Sequence, residues 1–394
     1  MPSATGWSAN NSTAQALDDP LAMRCAGREL LSLALIDTRN HLLQLLALDE
    51  SPAALRLAAH AGWYQEYWVA RHVQRQRGEA CDPHAPRLAG IEPRIDVWLA
   101  DDGDAAPVEQ LRAYLQETLE VTLELLATTS ADADSDVALH FYRSSLLHED
   151  RLTETLAERL HPGAPPARAD RDALWLPAQH TQLGSPIGIG GLVPHNERWA
   201  FDVAVPEFEI DAQPVNWARY VEFAGDGGYD RAELWTEAGW RWLQQLGRRA
   251  PGQVEQLLGG VLVARGFGAQ AGLQRASGAQ PAMHVARHEA EAWCRWAGRR
   301  LPTEPEWEIA AQHGTRRGFA WGDVFEWVAG SARAWPGAGR PAPGALDPAP
   351  GTAGQGVLRG GSWATRSRWR HPKARRFAAP AADHRFCGFR SCAV

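Results

Sequence analysis

The chain has 394 residues, 45% of them hydrophobic, and a formal net charge of -7 at pH 7 with a sequence pI near 6.1. That length supports two or three domains with a sizeable core, and the acidic balance gives no electrostatic ground for nucleic acid as a partner. The five cysteines are scattered without a C-x-x-C pair, and no apolar run nears the roughly 18 residues of a membrane span, which counts against a disulfide framework, a structural zinc site and membrane insertion.

Residues 1–19 are polar, carry Asn10-Asn11-Ser12-Thr13, and lack the basic start and apolar stretch of a signal peptide. They read as a flexible tail on a cytoplasmic protein. Residues 20–162 read as helices, with apolar residues at steps of three and four and few glycines. The first helix is expected over about Leu21 to Leu48. Ser51 can cap the second, with Pro52 at the first helical position, where its missing N–H costs nothing. That helix carries Ala58, His60, Trp63, Tyr67 and Val69 and should stop near Gly78. After an extended link through Pro83, Pro86 and Pro93, a third helix covers about Val108 to Ala127 and a fourth about Ser135 to Leu160. Four such helices fit an antiparallel bundle, a scaffold in which metal sites form from facing side chains.

Residues 163–176, rich in proline and glycine, mark a linker. In residues 177–394 the pattern changes to short strand-like runs such as Phe208-Glu209-Ile210-Asp211, with helices expected at about Asn216 to Phe223 and His288 to Ala297. The 18 tryptophans concentrate after residue 170 and suit a loop-rich domain pinned by large aromatic anchors.

Two patterns carry chemistry. The fourth helix contains His148-Glu149-Asp150-Arg151-Leu152-Thr153-Glu154, an H-E-x-x-H-x-E metal pattern with Leu152 in the second histidine's place. Residues four apart share a helix face, and leucine cannot ligate. Neither His140, about 12 Å along the axis from His148, nor Glu154, offset by about 120°, fills the gap. The second pattern is the basic run from Arg359 to Arg390, interleaved with Trp363, Trp369, Phe377 and Phe386. A nucleic-acid groove would look similar, but the acidic whole argues against one.

Five ordered blocks, Gly227-Gly228-Tyr229, Leu301-Pro302-Thr303-Glu304-Pro305-Glu306-Trp307-Glu308, Gly322-Asp323-Val324-Phe325-Glu326-Trp327, Leu358-Arg359-Gly360-Gly361-Ser362-Trp363 and Gly388-Phe389-Arg390, resemble the formylglycine-generating-enzyme-like (sulfatase-modifying factor) domain. Gly361 is followed by Ser362-Trp363-Ala364-Thr365 and by no cysteine until Cys387, which argues against formylglycine generation itself. A helical domain joined to this one, with Pro214-Val215, Leu234-Trp235 and Gly239-Trp240, resembles the ergothioneine-type sulfoxide synthases. The segments Trp63 to Arg71, Arg77 to Pro83 and Ile91-Glu92-Pro93 look most like the selenoneine synthase branch.

The resemblance implies an α+β chain: a DinB-like four-helix bundle in residues 20–162, then a C-type-lectin-like formylglycine-generating-enzyme-type domain in 177–394. It implies an oxygen-dependent Fe(II) enzyme that couples hercynine (trimethylhistidine) to a 1-selenosugar, with small molecules as its only partners. His60 and His148 match two of the family's three metal-binding imidazoles, and Leu152 stands at the third. Three accounts of Leu152 stay open: two histidines plus water or a substrate atom, another residue in the gap, or a metal function weakened or lost. Arg151 sits where relatives touch the substrate imidazole, and Arg71 where they hold a donor carboxylate. A trimethylammonium group needs an aromatic or acidic surround, for which Trp363, Asp383 and Phe386 are the candidates. No catalytic residue is assigned, because Ser331, Ala332 and Trp335 follow Trp327 where relatives carry a tyrosine. The rival readings are a sulfoxide synthase using cysteine or γ-glutamylcysteine, and a non-catalytic binding protein that has lost its metal.

Overall fold

Four long helices form where the apolar periodicity puts them: α1 (Arg28–Leu46), α2 (Pro52–Gln65), α3 (Val108–Thr128) and α4 (His140–Leu160). They belong to a computed structural model that describes residues 13–100, 103–129, 135–265, 271–346 and 354–394. The chain is α+β, with these helices first and a β-rich part after them. Among the described residues no helix is long and apolar enough to cross a membrane.

The start of α2 follows its sequence, since the Ser51 hydroxyl accepts the Ala54 N–H at 3.4 Å and Pro52 opens the first turn. Elsewhere the boundaries move. The segment Pro20–Arg24 is a separate turn, because the chain is extended at Gly27 before α1 begins. Nor does α2 run to Gly78; a π-helical turn, Glu66–Ala70, ends it. The buried Glu66 carboxylate accepts the Tyr114 hydroxyl at 2.6 Å and the Ile91 N–H at 2.9 Å, tertiary bonds that local propensity does not report. Gly78 instead lies at φ 49° with no room for a side chain, 2.7 Å from the Val137 carbonyl where a Cβ would stand.

Leu42, Leu46, Ala58, Leu115 and Leu156 are fully buried between the helices. Through them runs one ion pair. Arg39 donates from Nε and Nη2 to the Glu149 carboxylate at 2.6 and 3.0 Å, and Gln65 donates to the same group at 2.9 Å. Both charges are almost wholly buried, so either one alone would be stranded in the core. The pair therefore specifies which faces of α1, α2 and α4 meet.

After residue 163 the chain builds small sheets. One orders Arg375–Ala378, Gly356–Gly360, Phe325–Val328 and Cys387–Phe389, the last pair parallel and the others antiparallel. Another orders Leu174–Leu176, Phe208–Ile210, Cys392–Ala393 and Arg299–Arg300. Helices cover Trp217–Gly225 and Arg287–Trp296, close to expectation, and also Glu237–Leu246 and Glu304–His313. The resembling blocks act as fasteners. Trp307 Nε1 donates to Glu326 at 2.8 Å, Arg390 pairs with the same carboxylate at 2.7 Å, and Arg359 and Arg375 converge on Glu304. Much of the basic run is thus consumed inside the fold.

Candidate functional site

Along α2 and its π-turn, Arg56, His60, Trp63 and Tyr67 fall at steps of three and four and form a half-buried strip. His60 meets Trp63 edge-on with ring centroids 6.1 Å apart, and Trp63 stacks on Tyr67 at 5.2 Å. From α4, His148 reaches this strip: its ring lies 4.5 Å from that of Tyr64 and hydrogen-bonds to the His60 backbone. Burial, with the charges of His60 and Arg151, pushes its pKa down to about 3. His148 is therefore a neutral imidazole. Its Nε2 is buried and has no hydrogen-bond partner, which is the condition of a nitrogen available to a metal. Tyr64, in turn, donates its hydroxyl to the Gly344 carbonyl at 2.6 Å and so links the strip to the β-rich part.

One turn beyond His148, Leu152 packs half-buried against the core. Among the described residues no three His, Cys, Asp or Glu side chains gather closely enough to hold a metal ion. Leu152 adds no donor to His60 and His148, so the described residues do not suit a cation held by three protein ligands.

The opposite face of α4 makes the junction between the two parts. Asp150, about 200° around the helix from His148, accepts Arg368 at 2.6 and 2.8 Å, Trp369 Nε1 at 2.6 Å and the Thr38 hydroxyl at 2.7 Å. Glu154 accepts the Ser362 hydroxyl at 3.0 Å and also that of Thr365. On this face the junction is made by acids of α4 set against a basic loop.

The other candidates divide. Arg151 lies close enough to bias both Tyr64 and His148 electrostatically, so it joins the two-histidine strip. Arg71 donates from Nε to the Leu88 carbonyl at 2.8 Å and stands 3.6 Å from Glu66, tying a loop to the bundle. Trp363 and Phe386 pack together at 5.0 Å between ring centroids, but Phe386 is fully buried against His161 and His284, and Asp383 is engaged by Arg248. Trp363 faces an opening, a cavity of about 260 Å³ that also meets Asp18, His41, Ala157, Arg366 and Arg370. Sequence reading missed His41 and Tyr64. For Tyr64 a signal existed, four residues after His60 on the same helix.

Residues 163–323 match the sulfatase-modifying factor enzyme 1-like domain. The chain is 29% identical to the hercynine oxygenase of Mycolicibacterium smegmatis, across 92% of this chain and 98% of that one. To the hercynine oxygenase of Mycobacterium tuberculosis it is 28% identical, over 84% and 88%. To the inactive C-alpha-formylglycine-generating enzyme 2 of Bos taurus it is 34% identical, over 38% of this chain and 52% of that one.

Proposed function

We propose that this chain, homologous along most of its length to the hercynine oxygenases and through them to non-heme iron oxidoreductases, attaches selenium from a 1-selenosugar to the imidazole of hercynine, with dioxygen as oxidant. The observation that carries the reading is the end-to-end match, which includes both the helical part and the β-rich part. Coupling breaks one C–H and one Se–H bond and forms the C–Se bond, and the two electrons and two protons released reduce dioxygen to hydrogen peroxide. On this reading residues 20–162 supply the metal donors and 177–394 the substrate pocket, with 163–176 between them.

His60 and His148 would hold Fe(II), which when bound supplies activation of dioxygen. The neutral, unpartnered Nε2 of His148 supports a donor role, and the nearby Arg151 keeps positive charge at the rim. The indole of Trp363 suits a trimethylammonium group, and Arg370, anchored at 3.0 Å on the carbonyls of Thr365 and Trp363, suits the carboxylate of a betaine. An uncharged donor is favoured over a thiol amino acid because Arg71 is occupied by Leu88 and Glu66.

One observation favours a second reading, a binding protein without catalysis. Ala157, in the Trp363 cavity, stands nine residues beyond His148, about 13 Å along α4, and the two lie on different faces. Hercynine held at Trp363 reaches the imidazoles only if the junction rearranges. The test is purified protein with Fe(II), oxygen and hercynine, offered a selenosugar, cysteine or γ-glutamylcysteine in turn and followed by mass spectrometry. Product with the selenosugar alone supports the reading. Product with the thiols transfers it to sulfur, and hercynine binding without product from any donor leaves the binding protein.

A further inference from the structure

A groove of about 820 Å³ crosses the β-rich part and shares no lining residue with the Trp363 cavity or the His60–His148 strip. The strand Phe201–Val205 contributes Val203, Ala204 and Val205, and the strand Arg299–Arg300 contributes both its residues and the following Leu301. Successive side chains of a strand point to opposite faces, so consecutive residues line a groove where it runs along the strand's edge. Both strands end their sheets. Phe201–Val205 pairs with Gln179–Leu183, Arg299–Arg300 pairs with Cys392–Ala393, and among the described residues neither has a strand on its other side. Such an edge offers backbone N–H and C=O groups to an added strand.

Five arginines stand around these edges, and part of their charge is answered. Arg300 is held by Glu306 at 2.7 and 2.8 Å, Arg287 by Glu291 at 2.9 Å, and Arg299 by Glu209 at 3.1 Å. The other two, Arg295 and Arg333, are exposed and have no acidic partner among the described residues; Arg295 donates to the Leu234 carbonyl at 2.8 Å. On the helix Arg287–Trp296, Arg287, Glu291 and Arg295 follow one another at steps of four, which puts Arg295 about 12 Å along the axis from Arg287. Arg333 belongs to the Arg287 end, because the Ala332 N–H donates to the Gln355 carbonyl at 2.7 Å and a Cβ on the next residue, Gly356, would stand 3.0 Å from Arg287 Cδ. The two unanswered cations therefore bracket the groove, and Val205, Leu301, Pro305 and Ala329 give it an apolar wall.

In an extended chain, residues four apart share a face and lie about 13 Å from each other, close to the span between these cations. We propose that the groove docks an extended acidic segment of a partner protein, which adds as a strand to the free edge of Phe201–Val205 and sets two carboxylates, four residues apart, on Arg295 and Arg333. Backbone pairing supplies the affinity, and the two ion pairs fix the register. A bare anion would leave the strand edge and the apolar wall unused. Nucleic acid has no amide groups for the edge, and no aromatic ring lines the groove for a base to stack on. The inference is independent of the chemistry proposed at the imidazoles.

The experiment is calorimetric titration of the full chain, at low salt, with the capped peptide acetyl-Ser-Glu-Val-Thr-Val-Glu-Ser-amide. Saturable binding is expected, weakened about threefold to fivefold in each of Arg295→Gln and Arg333→Gln, the scale of exposed ion pairs, and about tenfold or more in the double variant. Both side chains are exposed, and thermal midpoints check that the variants fold. Amide exchange in residues 201–206 should slow severalfold in the complex, which binding through charge alone would not produce. Absence of saturable binding, equal affinity for the peptide with glutamine in place of both glutamates, wild-type affinity in the double variant, or unchanged exchange in residues 201–206 overturns the site. Displacement by inorganic phosphate as effective as by the peptide itself also overturns it, leaving an anion site without strand pairing.

Discussion

At His148 burial makes the imidazole neutral and leaves its Nε2 unpartnered, whereas one turn later Leu152 offers only hydrocarbon. A third imidazole at that position would face the same side of α4. Leu152→His is therefore expected to tighten Co(II) binding by about tenfold or more, since even outer partners of a metal ligand are worth roughly 10- to 100-fold. Competition against a chromophoric chelator measures it; unchanged affinity would mean that the two histidines do not share a cation. A different residue sets stability. Glu149→Ala strands Arg39 in the bundle core and should cost about 3–5 kcal/mol in urea denaturation, and a loss below about 1 kcal/mol would show that the pair is solvated.

At the scale of the element, α4 shows what could and could not be read from the chain. Its end at Leu160 was legible from the apolar periodicity, but its start was not, because the backbone leaves the helix at Leu139 and Ser135–Ala138 forms a separate turn; the start of α2 was legible because Ser51 and Pro52 each act locally. The ends of α1 and α2 were not legible, since the break at Gly27 and the π-turn after Gln65 answer to partners far along the chain, such as Tyr114 for Glu66. Likewise the sheets use strands of two to five residues, too short for alternation to show. Of the site, the His60–His148 pairing came from the resemblance and the H-E-x-x pattern, but the docking face of α4 depends on the Asp150–Arg368 bond, which only the fold displays. Asp150→Asn removes the charge from that bond while keeping the side chain's size. Amide exchange in residues 362–376 should rise severalfold while α3 stays protected. Equal exchange in both proteins would assign the docking to apolar packing instead.

Over the whole molecule, buried titratable groups of both kinds shape how stability follows pH. His284, by burial and then the neighbouring His161, is pushed down to about 3. His371, by burial and then Arg24 and despite Glu197, is pushed down to about 4. Below pH 6.5 the unfolded chain protonates these histidines and the folded chain does not, so stability falls as pH drops. Glu197 acts in the same direction at lower pH: burial would raise it, but Arg24 overrides this and holds it at about 2, so its contribution is lost below about 4.5. Two carboxylates oppose the trend. Burial raises Glu158 to about 8 and Glu289 to about 7, so above pH 4.5 the folded state retains protons that the unfolded state has released, and stability is lost as pH rises through those values. Between about pH 4.5 and 6.5 the two histidines and the two raised carboxylates offset each other, so the sum is a plateau there with decline on both sides. Urea midpoints taken from pH 4 to 9 test it. Glu158→Gln, which keeps the neutral form at every pH, should flatten the alkaline limb while leaving the acid limb in place; an alkaline limb of unchanged slope would show that Glu158 is ionised in the folded protein.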